Sequence, residues 1–174
     1  NILNRGFNAS FVGGDSVELF SSAHPTRAGN QSNLLTVASD LNESALEDMV
    51  IQIMGAENDR GIKIKLVPQS LHITRQLFFE SHRILKSVLQ NDTANNAINA
   101  LKATNALPNG IKANHYFTDV DARFVRTNAP KGMCLFQRRG LEFTKDNEFS
   151  TENAQAKATE RYSVFWADWR GYYG

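Results

Sequence analysis

The sequence lacks most of the features that mark a membrane protein, a disulfide-bonded protein or a metal-binding domain. Its 174 residues include one cysteine, Cys134, which excludes an internal disulfide and a cysteine-rich zinc site. No run approaches the roughly 20 apolar residues that a membrane-spanning helix requires. Residues 1–11 do not show the pattern of a signal peptide. We therefore expect assembly in a reducing cytoplasm, without membrane contact.

Strong charge of either sign is also missing. Nineteen Lys and Arg residues balance eighteen Asp and Glu residues, so the formal net charge is +1. This balance argues against a protein whose main work is to neutralise nucleic-acid phosphates, although it leaves room for local basic patches. The hydrophobic content of 41% is enough for one sizeable core or two modest ones.

Catalytic motifs are absent as well. No pair of histidines has the i, i+4 helical spacing of a zinc site, and neither a phosphate-binding loop nor a G-x-S-x-G motif occurs. Asp119 and Asp121 stand at i, i+2, which favours an exposed turn over a cation or acid/base site. We expect no catalytic residue, no metal, no cofactor and no enzymatic activity. A small metal- or acid/base-dependent hydrolase that uses Asp119, Asp121 and a histidine is the alternative from another class.

The first half of the chain shows helical periodicity. Residues 11–33 are rich in Gly, Ser and Asn and predict an extended connector, with turns at residues 13–15 and at His24. Asp40 and Glu43 have the spacing of a capping box. The predicted elements beyond the connector are a helix at 41–54, strands at 62–67 and 70–73, a helix from Thr74 to 89, a polar loop at 91–96 and a short helix at 97–106.

The second half shows short alternating runs. They predict strands at 115–118, 123–127, 133–137 and 141–144, and Cys134 is expected to be a buried thiol in one of them. The last strand, about 157–169, is unusually long and carries aromatic residues and arginine on both faces. Such a strand requires partners on both sides. The predicted fold class is α+β, with helices first and strands later.

Four segments taken in order resemble the major capsid proteins of tailed bacteriophages, the family with the Hong Kong 97-type fold. NILNRGF with FVGGDSVELFSSAHP resembles the end of the spine helix and its connector. A segment similar to the helix, strand and helix of the axial domain is LNESALEDMVIQIMGAENDRGIKIKLVPQSLHITRQLFFESHRILKS. The rest of that domain is matched by NNAINALKATNALPNGIKANHYFTDVDARFVRT. The return to the peripheral domain is matched by RGLEFTKDNEFSTENAQAKATERYSVFWADWRGYYG.

The resemblance implies three regions and a structural role. Residues 1–38 would be the end of the spine helix and the connector, 39–140 the axial domain with a small sheet flanked by helices, and 141–174 the returning strands of the peripheral domain. The implied function is self-assembly into an icosahedral head that encloses double-stranded DNA without sequence-specific contact. The family's amino-terminal arm, extended loop and most of its spine helix have no counterpart, so upstream sequence is expected to be missing.

The resemblance also implies partners and a location. The partners are copies of the chain in capsomers, with a scaffolding protein, a head protease and a portal, and the location is the virion after assembly in the host cytoplasm. An encapsulin-type compartment and a defective prophage remnant are the alternatives with the same fold.

The closing segment supplies the candidate assembly or packing residues. Trp, Tyr and Arg are enriched at protein interfaces, but buried residues of a single domain show the same enrichment. In the alternative interpretation, half or more of the candidate residues pack within the peripheral domain instead of contacting another subunit. The candidates are Arg161, Tyr162, Trp166, Trp169, Arg170, Tyr172 and Tyr173.

Overall fold

The fold is a mixed α+β arrangement of sheets and a few helices. The computed structural model describes residues 2–90, 97–147, 150 and 152–174, so the predicted polar loop at 91–96 lies outside the described residues. Among the described residues, no helix has the length and apolar character to cross a membrane. The elements are β1 His24–Thr26, β2 Gly29–Gln31, α1 Glu43–Met54, β3 Pro68–Ile73, α2 Phe78–Lys86, α3 Ala100–Ala103, β4 Ile111–Ala113, β5 Arg123–Thr127, β6 Met133–Asn147, β7 Ala154–Trp166 and β8 Tyr172–Tyr173.

A four-stranded sheet in the order β4-β3-β5-β8 forms the centre of the fold. β3 runs parallel to β4 and antiparallel to β5, and β8 pairs antiparallel with β5. Leu71, Val125 and Tyr173 lie opposite one another on three neighbouring strands and are fully buried. Residues that alternate along a strand point to opposite faces, so these three mark the core face of the sheet.

Helix α1 forms because its apolar residues recur at helical spacing, as predicted. Leu46, Met49 and Ile53 are buried in the same apolar cluster as the core face of the sheet. The predicted capping box at Asp40 is wrong, because Asn42 occupies the N-cap position and its side chain accepts a hydrogen bond from the Ala45 amide at 2.7 Å. An asparagine at this position satisfies an amide that would otherwise lack a partner at the helix start.

Two predictions around Pro68 are corrected. The predicted strand at 62–67 is reduced to an isolated bridge between Glu57 and Lys63, and β3 instead begins at Pro68, a position where a strand tolerates proline. The helix predicted from Thr74 begins only at Phe78. The Thr74 hydroxyl donates to the Val120 carbonyl at 2.8 Å, so this residue ties two loops together and does not cap a helix.

The predicted strand at 115–118 is wrong, and the short helix is shorter than predicted. The strand of this region is β4, which ends at Ala113, because Asn114 starts a turn by accepting a hydrogen bond from the Tyr116 amide at 2.9 Å. The helix predicted at 97–106 is confined to α3. At the end of α3, the Thr104 hydroxyl donates a hydrogen bond to the Ala100 carbonyl at 2.7 Å.

The predicted strand at 123–127 is confirmed as β5, while the later strands differ in extent. The two predicted strands at 133–137 and 141–144 form one strand, β6, because register shifts beside Arg139 absorb the residues between them. The long strand predicted at about 157–169 corresponds to β7, which ends at Trp166. It stops there because Asp168 begins a 3₁₀ turn by accepting a hydrogen bond from the Arg170 amide at 3.0 Å.

The connector is more structured than predicted. The turn at residues 13–15 is confirmed, since the Ser16 amide donates to the Gly13 carbonyl at 3.1 Å, and an isolated bridge joins Val12 to Glu18 on either side of it. β1 and β2 then form a hairpin. The interpretation of His24 as a turn residue is wrong: it belongs to β1 and is 0% exposed.

Asn33 joins the connector to the end of the chain. Its side-chain oxygen accepts from the Ser21 amide at 3.0 Å, and its nitrogen donates to the carbonyls of Leu19 at 2.7 Å and Tyr172 at 3.0 Å. The same oxygen lies 3.2 Å from Nε2 of His24. Asn33 is 0% exposed, so these contacts satisfy a buried amide that would otherwise be costly.

The other side of His24 completes this network. Its Nδ1 lies 2.7 Å from the Asp15 carboxylate, and its ring stacks on Trp169 with centroids 4.3 Å apart. The Arg170 guanidinium lies over the Trp169 ring, with its central carbon 4.3 Å from the ring centroid, and it donates a hydrogen bond to the Glu57 carbonyl at 2.9 Å. The residues after β7 are therefore built into the core of the connector region.

A glycine pair lets the chain pass close to itself where β6 begins. A Cβ on Gly171 would lie 2.5 Å from the Gly132 Cα, and a Cβ on Gly132 would lie 2.8 Å from the Gly171 Cα. Both approaches are between backbone atoms, so neither position accepts a larger residue without movement of the chain. This contact fixes the base of β6 against the final turn.

Candidate assembly surface

Strands β6 and β7 form a two-stranded antiparallel ribbon, which we call the arm. The strands are 15 and 13 residues long, and they pair with each other and with no other strand of the described residues. Nearly every arm residue is exposed. Isolated two-stranded ribbons are marginally stable in water, and both outer edges of this one present unpaired backbone groups.

The large apolar side chains near the base of the arm lie on one side of it. Directly opposed residues of an antiparallel pair share a face, and the face alternates along each strand. The register pairs Met133 with Trp166, Leu135 with Val164, and Phe143 with Ala158. We call this side the apolar face of the arm. Its apolar residues are Met133, Leu135, Phe143, Ala154, Ala156, Ala158, Tyr162, Val164 and Trp166, and the polar residues Gln137, Lys145, Asn147 and Glu160 lie on the same side.

Exposure of the apolar face is high. Leu135, Phe143, Tyr162 and Val164 are 66%, 73%, 60% and 50% exposed. Scattered apolar residues are normal on protein surfaces, but Met133, Leu135, Tyr162, Val164 and Trp166 lie together at the base of the arm, and a contiguous apolar patch marks an interaction surface.

The opposite side of the arm combines aromatic and basic residues. Phe136 stacks on Phe165 with centroids 5.0 Å apart. Arg139 lies directly opposite Arg161, an arrangement that destabilises a ribbon unless carboxylates compensate it. Glu142 lies 3.5 Å from Arg139, and both side chains are about half exposed, so this pair contributes little. This side is suited to contact with an acidic surface.

The base of the arm meets the first residues of the chain. Ile2 and Leu3 line a cavity of about 480 Å³ together with Met133 and Val164 of the apolar face. Trp166 is half-buried at the same end, and a Cβ on Gly13 would lie 2.6 Å from its Nε1. The apolar face is thus anchored at one end and uncovered along the rest of its length.

The seven predicted assembly or packing residues divide into two groups. Trp169, Tyr172 and Tyr173 are buried in the core, and Arg170 is held by Glu57 and Gln31. Arg161 and Tyr162 are exposed on the arm, and Trp166 is half-buried at its base. Trp169, Arg170, Tyr172 and Tyr173 therefore pack within the fold, while a role of Arg161 and Tyr162 in assembly stays a prediction.

The carboxylates of the alternative hydrolase lie at the rim of a separate cavity. Asp119 and Asp121 are exposed, and the Asp121 amide donates to the Asp119 carboxylate at 3.2 Å in a local turn. They line a cavity of about 300 Å³ with Arg123. Burial lowers the pKa of Arg123, while Asp40 and Asp121 oppose that effect. Over residues 2–90, 97–147, 150 and 152–174, no group of three or more His, Cys, Asp or Glu residues converges.

Cys134 is half-buried and its predicted full burial is wrong. Its sulfur lies 3.7 Å from the Lys131 carbonyl at the start of β6. The arm begins there and has no further layer above it, so the run that looks apolar in sequence is not enclosed.

A second surface feature lies on the face of the central sheet that carries Ser70 and His72, the side opposite Leu71 and Ile73. Ser70 and His72 of β3, Lys112 of β4 and Arg126 of β5 share this face. They line a cleft of about 490 Å³, which we call the cationic cleft, together with Asn109, Ala113, Asn114, His115 and Tyr116. This feature is not evident from the sequence, because strand pairing brings together residues that are far apart in the chain.

The cationic cleft makes folding stability depend on pH. Burial, Arg126 and Lys112 lower the pKa of His72 to about 4, so the unfolded chain binds a proton between about pH 6.5 and 4 that the folded chain does not. The contribution of His72 to the free energy of unfolding is therefore fully present above about pH 6.5, and it is lost as the pH falls towards 4.

We expect this loss to reach about 1–2 kcal/mol, a value reduced for the partial exposure of the ring. Urea unfolding at pH 7 and pH 4.5 measures it, and His72→Gln should show a smaller decrease than the unaltered protein. An identical decrease in both proteins would contradict the assignment to His72.

Comparison with known proteins identifies no family. No family model matches the chain, and no curated protein matches it in sequence. One solved structure with a weak likeness is the crystal structure of a virus-like particle from Pyrococcus furiosus, with 13% identity and a TM-score of 0.43. The likeness covers 80% of this chain and 53% of that chain, so this chain spans about half of its length. A TM-score at this level does not establish a shared fold.

Proposed function

We propose that the chain is a structural subunit that assembles with copies of itself into a closed shell and that it is not an enzyme. The arm is the single observation that carries this proposal. It is a long ribbon with an uncovered apolar face, two unpaired edges and an arginine pair on its other side. A folded monomer gains nothing from exposing such an element, whereas a subunit that is covered by its neighbours does.

Repeated contacts between unlike surfaces of identical chains favour a shell over a simple dimer. We propose that the arm, which pairs with no other strand of the described residues, is covered in a neighbour by a different part of the chain and not by the neighbour's own arm. Such heterologous contacts do not close after two copies and instead generate rings or larger assemblies. The exposed residues of α1, which include Asp48, Ile51 and Met54, offer an acidic and apolar surface that complements the arm.

The finer proposal is the head shell of a tailed bacteriophage that encloses double-stranded DNA, with a scaffolding protein, a head protease and a portal as partners. Its support is the order of the four segments that resemble that family and the near-neutral charge, which suits a wall that contains DNA without gripping it. An encapsulin-type compartment is the rival. Genes for a portal and a terminase beside this one would favour the phage head, and a gene for a cargo enzyme would favour the compartment.

Electron microscopy of the purified protein at high concentration tests the proposal. We expect rings or closed shells of uniform size, because the arm of each copy is covered by another. Fields that contain only monomer-sized particles at every concentration and salt condition would contradict the shell function. A matched sample with Val37→Thr, Ile62→Thr, Val88→Thr and Ile98→Thr, four exposed apolar positions outside both the arm and α1, shows whether the arm is the specific determinant.

A further inference from the structure

The cationic cleft has positive groups and no acidic ones. None of the nine residues that line it is Asp or Glu. In the part of the chain that the structure describes, Lys112 and Arg126 form neither an ion pair nor a side-chain hydrogen bond with the protein. Both cations are therefore available to an external anion, and the cleft places them on one face without a carboxylate among its lining residues.

Neutral hydrogen-bonding groups surround the two cations. Ser70 is buried, and its hydroxyl lies 3.1 Å from Nε2 of His72. Asn109 and Asn114 stand at the rim, where Asn109 is held by a 3.0 Å hydrogen bond to Gln69. Ser70, His72, Lys112 and Arg126 are carried by paired strands, whose backbones are held in place by the sheet. Rigid donors of this kind bind the oxygens of a phosphate group.

An exposed aromatic ring completes the cleft. Tyr116 is 87% exposed, yet its backbone is fixed on both sides: its amide donates to Asn114 at 2.9 Å and its carbonyl accepts from Asn4 at 2.8 Å. Because the backbone of Tyr116 is already fixed, little backbone conformational entropy is lost when a planar group stacks on the exposed ring. Cations beside an aromatic platform are the combination that binds single-stranded nucleic acid.

We propose that the cationic cleft binds a nucleotide unit, with its phosphate on Lys112 and Arg126 and its base stacked on Tyr116. A volume of about 490 Å³ lies within the range of small-molecule sites. The source of the unit is either a free nucleotide or a single-stranded stretch of nucleic acid. The inference is independent of the shell function, since it rests on the sheet face and not on the arm.

Fluorescence anisotropy with a labelled single-stranded 12-mer at about 50 mM salt tests the inference, with adenosine monophosphate and inorganic phosphate as competitors. Lys112→Gln with Arg126→Gln should weaken binding at least ten-fold and flatten the salt dependence by about 1.4 in log–log slope, the value for two lost phosphate contacts. Tyr116→Ala should weaken binding about five-fold or more through lost stacking. The matched control is Arg60→Gln with Lys65→Gln, which removes the same charge outside the cleft.

Each outcome decides the inference. Stronger binding of the 12-mer than of the mononucleotide identifies nucleic acid as the source, and equal binding identifies a free nucleotide; both support the site. On addition of the bound ligand, the pKa of His72 should rise in an NMR titration, because an anion offsets Arg126 and Lys112. No binding, or equal losses in the cleft variant and the control, would overturn the inference. If the cleft variant changes only the size of the assembly, the cations serve a carboxylate of a second copy and the inference is also overturned.

Discussion

Replacement of Asn33 by alanine is expected to lower the free energy of unfolding by roughly 3–5 kcal/mol, because it leaves several buried polar groups without partners. The carboxamide contacts the Ser21 amide, the Leu19 and Tyr172 carbonyls and the His24 ring. Alanine is too small to fill the space and cannot replace any of these hydrogen bonds. The loss is large because these partners include Tyr172, which lies 139 positions from Asn33 in sequence.

The effect should be seen as a decrease of about 10 °C in the midpoint of thermal unfolding for a chain of this size. Asn30→Ala is the matched control, since Asn30 lies in β2 near the same hairpin but is exposed. It should change the midpoint by no more than about 2 °C, as surface substitutions generally do. Equal midpoints for Asn33→Ala and Asn30→Ala would show that the network around His24 does not hold the end of the chain in place.

Removal of the apolar character of the arm is expected to abolish assembly while the folded subunit persists. The variant carries Leu135→Thr, Phe143→Thr, Tyr162→Thr and Val164→Thr, all at positions that are at least half exposed. Threonine retains the strand preference of these positions, so the ribbon itself should form. Each large apolar group buried against a neighbour contributes about 1.5–3 kcal/mol, and the loss of four should weaken association by several orders of magnitude.

Light scattering after size exclusion measures the mass of the variant, and circular dichroism measures its stability. We expect a monomer with a midpoint of unfolding close to that of the unaltered protein. The matched variant with four threonines outside the arm should assemble normally. Assembly by the arm variant, or equal loss of assembly in both variants, would contradict the assignment of this surface.

Local elements could be predicted from the sequence wherever one short segment determines them. The apolar spacing of Leu46, Met49 and Ile53 predicts α1, and the alternation along residues 123–127 predicts β5. The long final strand with large residues on both faces is likewise evident from its sequence, as is its need for partners. Its exact limits depend on the cap at Asp168, which only the 3₁₀ turn reveals.

Features that depend on tertiary contacts could not be predicted. His24 and Asn33 stand in a segment rich in Gly, Ser and Asn, and their burial depends on Trp169 and Tyr172 at the other end of the chain. The cationic cleft arises because β3 pairs with β4 after a long connection that contains α2 and α3. The alternation of Ser70 and His72 with Leu71 and Ile73 was a usable signal for a polar sheet face, but it does not reveal which cations join it.

The central claim is that this chain associates with copies of itself through an arm that the folded subunit leaves uncovered. Sedimentation velocity of the unaltered protein over a hundred-fold range of concentration tests this claim most directly. We predict that the sedimentation coefficient rises with concentration from that of a monomer to that of a large, discrete assembly. A coefficient that stays at the monomer value across the whole range would contradict the claim.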